Sequence, residues 1–348
     1  MRIAQVSPLI ESVPPKHYGG TERIVSYLTE ELVRFGHDVT LFGSGDSDTT
    51  ARLIAPTRRS LRKNERCKDP MARELILIDH VLERAHEFDV IHFHTGYLQF
   101  AICRYLPVPH FTTLHGRLDT PDFAAIHDRF QDVPVISISN AQRQPVPWAN
   151  WQATIYHGLP KDLFRFYPDR GDYLAFLGRI SPEKGADRAI EIAKRVGMPL
   201  KIAAKVDRAD RRYFKRVIEP LLNDPSVEWI GEISDQQKNE FLGNAYALLF
   251  PIDWPEPFGL VMIEAMACGT PVIAYDRGSV PEVMENGVTG FVVRGLDDSV
   301  EAIRQVRSLS RACCREVFEK RFTASRMAND YMNAYERAVR SDGAYACA

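Results

Sequence analysis

Two carboxylates with seven residues between them mark the stretch WPEPFGLVMIEAMACG, residues 254–269. Glu256 sits between two prolines, and Glu264 sits inside a run that is otherwise apolar. Burying a bare carboxylate is expensive, so Glu264 needs hydrogen-bond donors. A sugar or ribose diol is one donor that fits. An internal ion pair or a helix face turned to water is the alternative, although LVMIEAMA carries no basic residue within a turn of Glu264. Pro257 suits the first position of a helix. Phe258, Gly259, Leu260 and Val261 would then form a first turn whose N–H groups lack intrahelical acceptors. Such a turn attracts anions, and Gly259 lets a ligand approach the backbone.

A second group of candidates lies in FLGRISPEKG, residues 176–185. The pattern places Arg179 at the carboxyl end of a strand and Lys184 where the next helix begins. A cation there opposes the helix dipole at a cost of roughly half a kcal/mol, and a local rule broken in this way points to function. Arg179 and Lys184 together suit a diphosphate clamp; two isolated surface charges are the plain alternative. In PPKHYGGTER, residues 14–23, Gly19 and Gly20 follow the first strand and precede a helix. Glycines there admit a phosphate or sugar close to the backbone, or they simply form a turn. The GxxxxGK[ST] spacing is absent, and GSGDSD offers only Gly43 and Gly45 of the three glycines of a dinucleotide fingerprint.

His115, in TTLHG, ends a strand and is placed either to hydrogen-bond a sugar hydroxyl or to pack internally. His92 and His94 share one face of a strand, without the further ligands at fixed spacing that a metal needs. The Asp-x-Asp pattern DSD, residues 46–48, reads as a loop.

The elements that must hold these residues follow an alternating pattern of parallel βαβ units. In the first half the expected strands are RIAQVS, DVTLFG, DVIHFH, HFTTLH and PVISIS. In the second they are DYLAFLG, LKIAAK, VEWIG, AYALLFP, PVIAY and TGFVV. TERIVSYLTEELVRFG is an amphipathic helix stopped by Gly36, and TASRMANDYMNAYERAVR is a closing helix. Two successive doubly wound sheets result, joined near residues 153–160, with ligand expected at the carboxyl ends of the strands.

The 348 residues accommodate two domains. The net charge is −2, with 17 basic and 18 acidic side chains up to residue 156 and 27 and 28 beyond it. Neither half is a polycation, which argues against nucleic acid as partner. No run of about 18 apolar residues marks a membrane span, and MRIAQVSPLI lacks a signal-peptide core. The six cysteines form no CxxC pair, consistent with reduced thiols and a cytoplasmic protein. The charge run RRSLRKNERCK, residues 58–68, reads as a solvated surface or as a patch for an anionic membrane or acceptor.

Taken together, EPFGLVMIEAMACGTPVIA, FLGRISPEKG and YGGTER resemble the GT-B-fold glycosyltransferases of family four, the retaining group 1 transferases. The resemblance runs over nearly the whole chain and is most specific over residues 173–293. It implies an α/β, GT-B-like fold of two Rossmann-like, doubly wound parallel-sheet domains facing across a cleft. The boundaries it suggests are 1–156 for an acceptor domain, 157–320 for a nucleotide-sugar domain, and 321–348 for a helix and tail crossing back to the first. The implied donor is a UDP- or GDP-linked hexose-type sugar. Arg179 and Lys184 would hold its diphosphate with backbone N–H groups near Phe258, Gly259, Leu260 and Val261. Glu264 would take the ribose hydroxyls, Glu256 the sugar hydroxyls, and Gly231 and Glu232 would lie by the nucleobase. Gly19 and Gly20 would close on the phosphate, and His115 would contact the transferred sugar. Transfer would need no metal or other cofactor and would proceed by front-face attack, the departing phosphate deprotonating the acceptor. The acceptor, a sugar, a lipid-linked sugar or a small molecule, is unspecified, and a peripheral membrane contact is compatible. The family more often has Asn-Gly where this chain reads YHGLP, which gives His157 a role either at ligand or in packing. A nucleotide-sugar epimerase of the same fold and a two-domain sugar-binding protein are the rival readings.

Overall fold

A computed structural model of the chain describes residues 1–16, 19–62 and 64–345. His17 and Tyr18 of the Gly-Gly stretch, and Lys63 of the basic run, lie outside the described residues. The chain divides into two compact units. One comprises Met1–Pro160 and the segment from Ala324 onward; the other comprises Lys161–Thr323.

The first unit is built on β1 (Arg2–Val6), β2 (Asp38–Ser44), β3 (Arg52–Thr57), β4 (Val90–Phe93), β5 (His110–Thr113), β6 (Val135–Ser137) and β7 (Trp151–Thr154). They form one parallel sheet in the order β3-β2-β1-β4-β5-β6-β7. The central strands are β-branched and apolar because helices cover both faces. In β4 all four residues of VIHF are buried, the polar His92 among them, and His94 follows the strand. The edge strand β3 escapes the sequence pattern. Its residues RLIAPT are only partly buried and contain Pro56, which an edge tolerates. The last helix, Ala324–Tyr345, returns to this unit. Its stripe of Met327, Ala328, Tyr331, Met332 and Tyr335 recurs at helical spacing and is buried.

The second unit carries β8 (Tyr173–Arg179), β9 (Leu200–Lys205), β10 (Val227–Gly231), β11 (Ala245–Phe250), β12 (Val272–Tyr275) and β13 (Gly290–Val293). All pair in parallel in the order β10-β9-β8-β11-β12-β13. The strand order turns around between β8 and β11, and between β1 and β4 in the first unit. At such a switch point the flanking connections leave to opposite sides and open a crevice beyond the strand ends.

The helix Leu260–Cys268 follows β11 and is apolar on nearly every side, because it lies inside the unit. Its far end is anchored by Arg311, 4% exposed. The guanidinium donates to the carbonyls of Tyr167 (2.7 Å), Gly243 (2.7 Å) and Ala245 (2.9 Å) and to Thr270 Oγ1 (2.6 Å). Those carbonyls close a helix, open β11 and tie in the entry to the unit. Arg311→Ala leaves them buried and unpaired, at about 1–3 kcal/mol each when no water replaces the donor. The expected outcome is a clear loss of thermal midpoint, larger than for Arg311→Lys, measured by calorimetry.

Candidate active site

At the carboxyl end of β8, Arg179 is surrounded by three carboxylates. Its Nη2 donates to Glu183 Oε1 at 2.6 Å, and its other nitrogens lie 3.6 Å from Asp207 and 3.7 Å from Asp210. The chain then makes a short 3-10 turn, Pro182–Lys184, and passes through Gly185 into the helix Ala186–Val196. Gly185 has φ +75°, and a Cβ there would stand 2.3 Å from the carbonyl oxygen of Pro251. Glycine is therefore required by both backbone and space. Arg188, one turn later, donates to that same Pro251 carbonyl (2.7 Å) and to the Pro182 carbonyl (3.1 Å). Together with Asp253 N donating to Glu183 O (2.8 Å), it locks the loop after β8 to the loop after β11.

That junction brings Lys184 to Glu256. The ammonium donates to Glu256 Oε2 and stands 4.7 Å from the centre of the Trp254 ring. Trp254 Nε1 donates to the same oxygen at 3.0 Å. Glu256 is itself positioned by Gly278–Ser279: Ser279 N donates to Glu256 O (2.9 Å), and Ser279 Oγ donates to Phe258 O (2.9 Å). The two sequence-predicted cations thus lie at one switch point, but neither is a bare charge. Each is held by carboxylates of its own unit, a partnership that sequence spacing did not disclose.

The helix start also differs from expectation. It begins at Leu260, not at Pro257, with Gly259 as the residue before it at φ +81°. Pro257 and Phe258 are instead part of a buried approach loop, and the Phe258 side chain is directed into the core. The left-handed turn at Gly259 delays the helix by three residues and leaves Leu260 and Val261 in its first turn.

Glu264 does have an internal cation, contrary to the sequence reading. Lys238 Nζ, on the helix Asp235–Gly243, donates to Glu264 Oε1 at 2.9 Å and lies 3.4 Å from Asp235. The partner is 26 positions away in sequence, on a neighbouring helix. Its signal was a lysine three and four residues before Phe241 and Leu242, on the buried stripe of its helix. Glu264 Oε2 is buried without a protein partner among the described residues. Farther along the sheet, Trp229 donates from Nε1 to Ala204 O (2.9 Å) and packs on Phe214. Gly231 follows with φ +78°, and Glu232 is exposed.

In the first unit, Gly19 precedes the helix Gly20–Arg34, and a Cβ on Gly19 would come within 2.8 Å of Pro15. His115 belongs to a directed hydrogen-bond chain. His94 Nε2–H donates to Gln5 Oε1 (2.9 Å), so its Nδ1 accepts from His115 Nε2–H (2.9 Å). Gln5 Nε2 donates to Tyr335 (3.1 Å), whose hydroxyl donates to His92 Nδ1 (2.6 Å); His92 Nε2–H then donates to Thr113 Oγ1 (2.7 Å). His92 and His94 are consumed by this chain. His157 stacks on His115 with ring centres 5.2 Å apart, which gives it a packing role. His115 Nδ1 remains as an acceptor with no partner among the described residues. Burial pushes the His115 pKa down to about 3, and His92, His94 and His157 are lowered for the same reason, helped by one another's charge.

Residues 165–316 match the family described as Glycosyl transferases group 1, and residues 18–149 match Glycosyltransferase Family 4. The chain belongs to the group 1 glycosyltransferases. An alpha-maltose-1-phosphate synthase of Mycobacterium tuberculosis is 34% identical over 124 residues, 34% of this chain and 32% of that protein. The match therefore spans about a third of that relative's length. Sucrose-phosphate synthase of Thermosynechococcus elongatus shares the fold with a TM-score of 0.78 and 19% identity, over 98% of this chain and 100% of that one. The Anabaena protein HepE, solved with UDP and glucose, does so with a TM-score of 0.74 and 19% identity, over 97% and 100%. The two parallel-sheet units are thus those of a GT-B fold.

Two measurements probe the charges of this group 1 glycosyltransferase. Lys238→Met strands a carboxylate whose side chain is 4% exposed, and should cost about 3 kcal/mol. Glu264→Gln leaves Lys238 with Asp235 and should cost clearly less; chemical denaturation gives the order, and equal losses would contradict the asymmetry. The histidines supply the second. Their folded-state pKa values lie below the unfolded value near 6.5, so on acidification the unfolded chain takes up protons first. Stability is full above about pH 6.5 and falls as pH drops below it. Thermal midpoints between pH 8 and about pH 5 should show the decline, and Gln5→Ala should alter it.

Proposed function

We propose that the chain transfers a hexose-type sugar, with retention, from a nucleoside-diphosphate sugar to an acceptor hydroxyl, without a divalent cation. The observation that carries this reading is the assembly of Arg179 and Lys184 with the start of the helix Leu260–Cys268 at the switch point of the second unit. Two cations and open backbone N–H groups suit a diphosphate. They offset the charge that grows on the leaving group, the role a metal plays in other transferases. UDP is a donor nucleotide consistent with the complex formed by HepE, and GDP is equally compatible with the residues.

The carboxylates fit the same reading. Glu183, Asp207 and Asp210 hold Arg179, and Glu256 holds Lys184, so that both cations are placed before a donor arrives. On binding, the diphosphate takes over part of their charge and Glu256 becomes available to sugar hydroxyls. Lys238 orients Glu264 through Oε1, and Oε2 is left to accept a ribose hydroxyl. His115, neutral at physiological pH, offers Nδ1 to a sugar hydroxyl.

Arg179→Gln and Lys184→Gln should each raise the barrier by about 2–4 kcal/mol, a thirtyfold to thousandfold loss of turnover measured on the fraction that remains folded, whatever melting temperature is lost by leaving their carboxylates without a cation. Release of nucleoside diphosphate from a panel of UDP- and GDP-sugars, with and without acceptor, gives the rates. An unchanged rate removes that residue from the clamp, and equal turnover without acceptor favours an epimerase or hydrolase. Activity should persist in excess EDTA; loss on chelation with recovery in manganese overturns the metal-free reading.

A further inference from the structure

The basic run at residues 58–68 has no part in the proposed chemistry. In the structure it follows the carboxyl end of β3 and leads into the helix Pro70–Glu83. Residues 58–73 carry seven basic and two acidic side chains. Arg58, Arg59, Arg66, Lys68 and Arg73 are exposed, while Arg62 pairs with Glu11. The helix is started by Asp69, whose side chain accepts from Ala72 N (3.2 Å), and by Pro70 at its first position. Its inner face buries Leu77, Ile78 and Val81.

The outer face of that helix is divided along its length. The first two turns expose Met71 (62%), Leu75 (46%) and Ile76 (41%), and the last turns expose Asp79 and Glu83. Single exposed apolar residues are ordinary. Three large ones on one helical face, beside five exposed cations, form an interfacial surface. Asp79 and Glu83 lie toward the carboxyl end of the helix, and within residues 58–73 the cations outnumber Glu65 and Asp69 by seven to two. A second copy of this patch would oppose cations to cations, whereas anionic headgroups complement them and acyl chains accept the apolar side chains.

We infer that the amino-terminal end of the helix Pro70–Glu83 and the preceding basic segment dock the first unit onto an anionic lipid surface. The segment is fastened to the loop after β1: Leu61 N donates to Leu9 O (2.9 Å), Arg62 N donates to Ile10 O (3.0 Å), and Glu74 accepts from Leu9 N (2.8 Å). Docking therefore presents the strand carboxyl edge of this unit, with Gly19 and His115, beside the lipid. If the proposed transferase reading holds, the acceptor class at that edge is a lipid-carried hydroxyl compound.

The test is co-sedimentation of the full chain, without donor, with vesicles of phosphatidylcholine alone or containing about one-third phosphatidylglycerol. The protein should sediment with the anionic vesicles only, and about 0.5 M salt should weaken that binding. Met71→Ser with Leu75→Ser and Ile76→Ser, and separately Arg58→Ser with Arg59→Ser and Lys68→Ser, should each weaken it about tenfold or more. Nucleoside-diphosphate binding should be unchanged in both variants, which separates this inference from the transferase reading. No binding to anionic vesicles, or binding that both variants retain, overturns it. So does a concentration-dependent dimer that the apolar variant abolishes, since that assigns the face to a second copy.

Discussion

A charge removed from water has to be met by another charge or by well-aimed donors, and the second unit is organised around that requirement. Four ionised side chains, Arg179, Lys184, Glu256 and Glu264, lie at or near the strand carboxyl ends. Each is answered locally: Arg179 by three carboxylates, Lys184 by Glu256, Glu264 by Lys238. The pairing holds long side chains in place. It also makes the site exchangeable, since an anion of matching shape can take the place of a carboxylate without creating a bare charge.

Backbone constraints make this arrangement specific. Gly185 allows the loop after β8 to press against Pro251, and Gly278, at φ +54°, passes within reach of the backbone of Glu256, where a Cβ would lie 2.4 Å from its nitrogen and oxygen. Arg188 joins the two loops from below through carbonyl oxygens alone. None of these residues carries chemistry. They convert two flexible connections into one rigid platform, on which small displacements of Lys184 or Glu256 are resisted.

The two-sheet architecture was legible because most strands are short apolar runs between turn residues; all six strands of the second unit were visible in this way, the β-branched VIAY and AYALLF, which has no β-branched residue, alike. The edge strand β3 was not, since half-exposed RLIAPT lacks that signal. Arg179, Lys184, Glu256 and Glu264 were legible as charges in places where charges are costly. Their partners were not, because Asp207, Asp210 and Lys238 come from other segments, and their contacts depend on tertiary packing. The start of the helix at Leu260 was misplaced for a related reason. Proline at a favourable position is a weak local preference, and the left-handed turn at Gly259 overrides it.

The last helix belongs to the first unit, and Ala324 N donates to the carbonyl of Leu159 at 2.7 Å. The second unit is thus an insertion whose two ends leave and re-enter the first side by side. Synthesis from the amino terminus ordinarily completes domains in chain order. Here that order is interrupted: the sheet of the first unit precedes residues 161–323 in the chain, but the helix that carries Tyr331 and Tyr335 follows them. His92 and Gln5 on the amino-terminal sheet therefore meet the hydroxyl of Tyr335, and Thr113 that of Tyr331, only once the far end of the chain has come back.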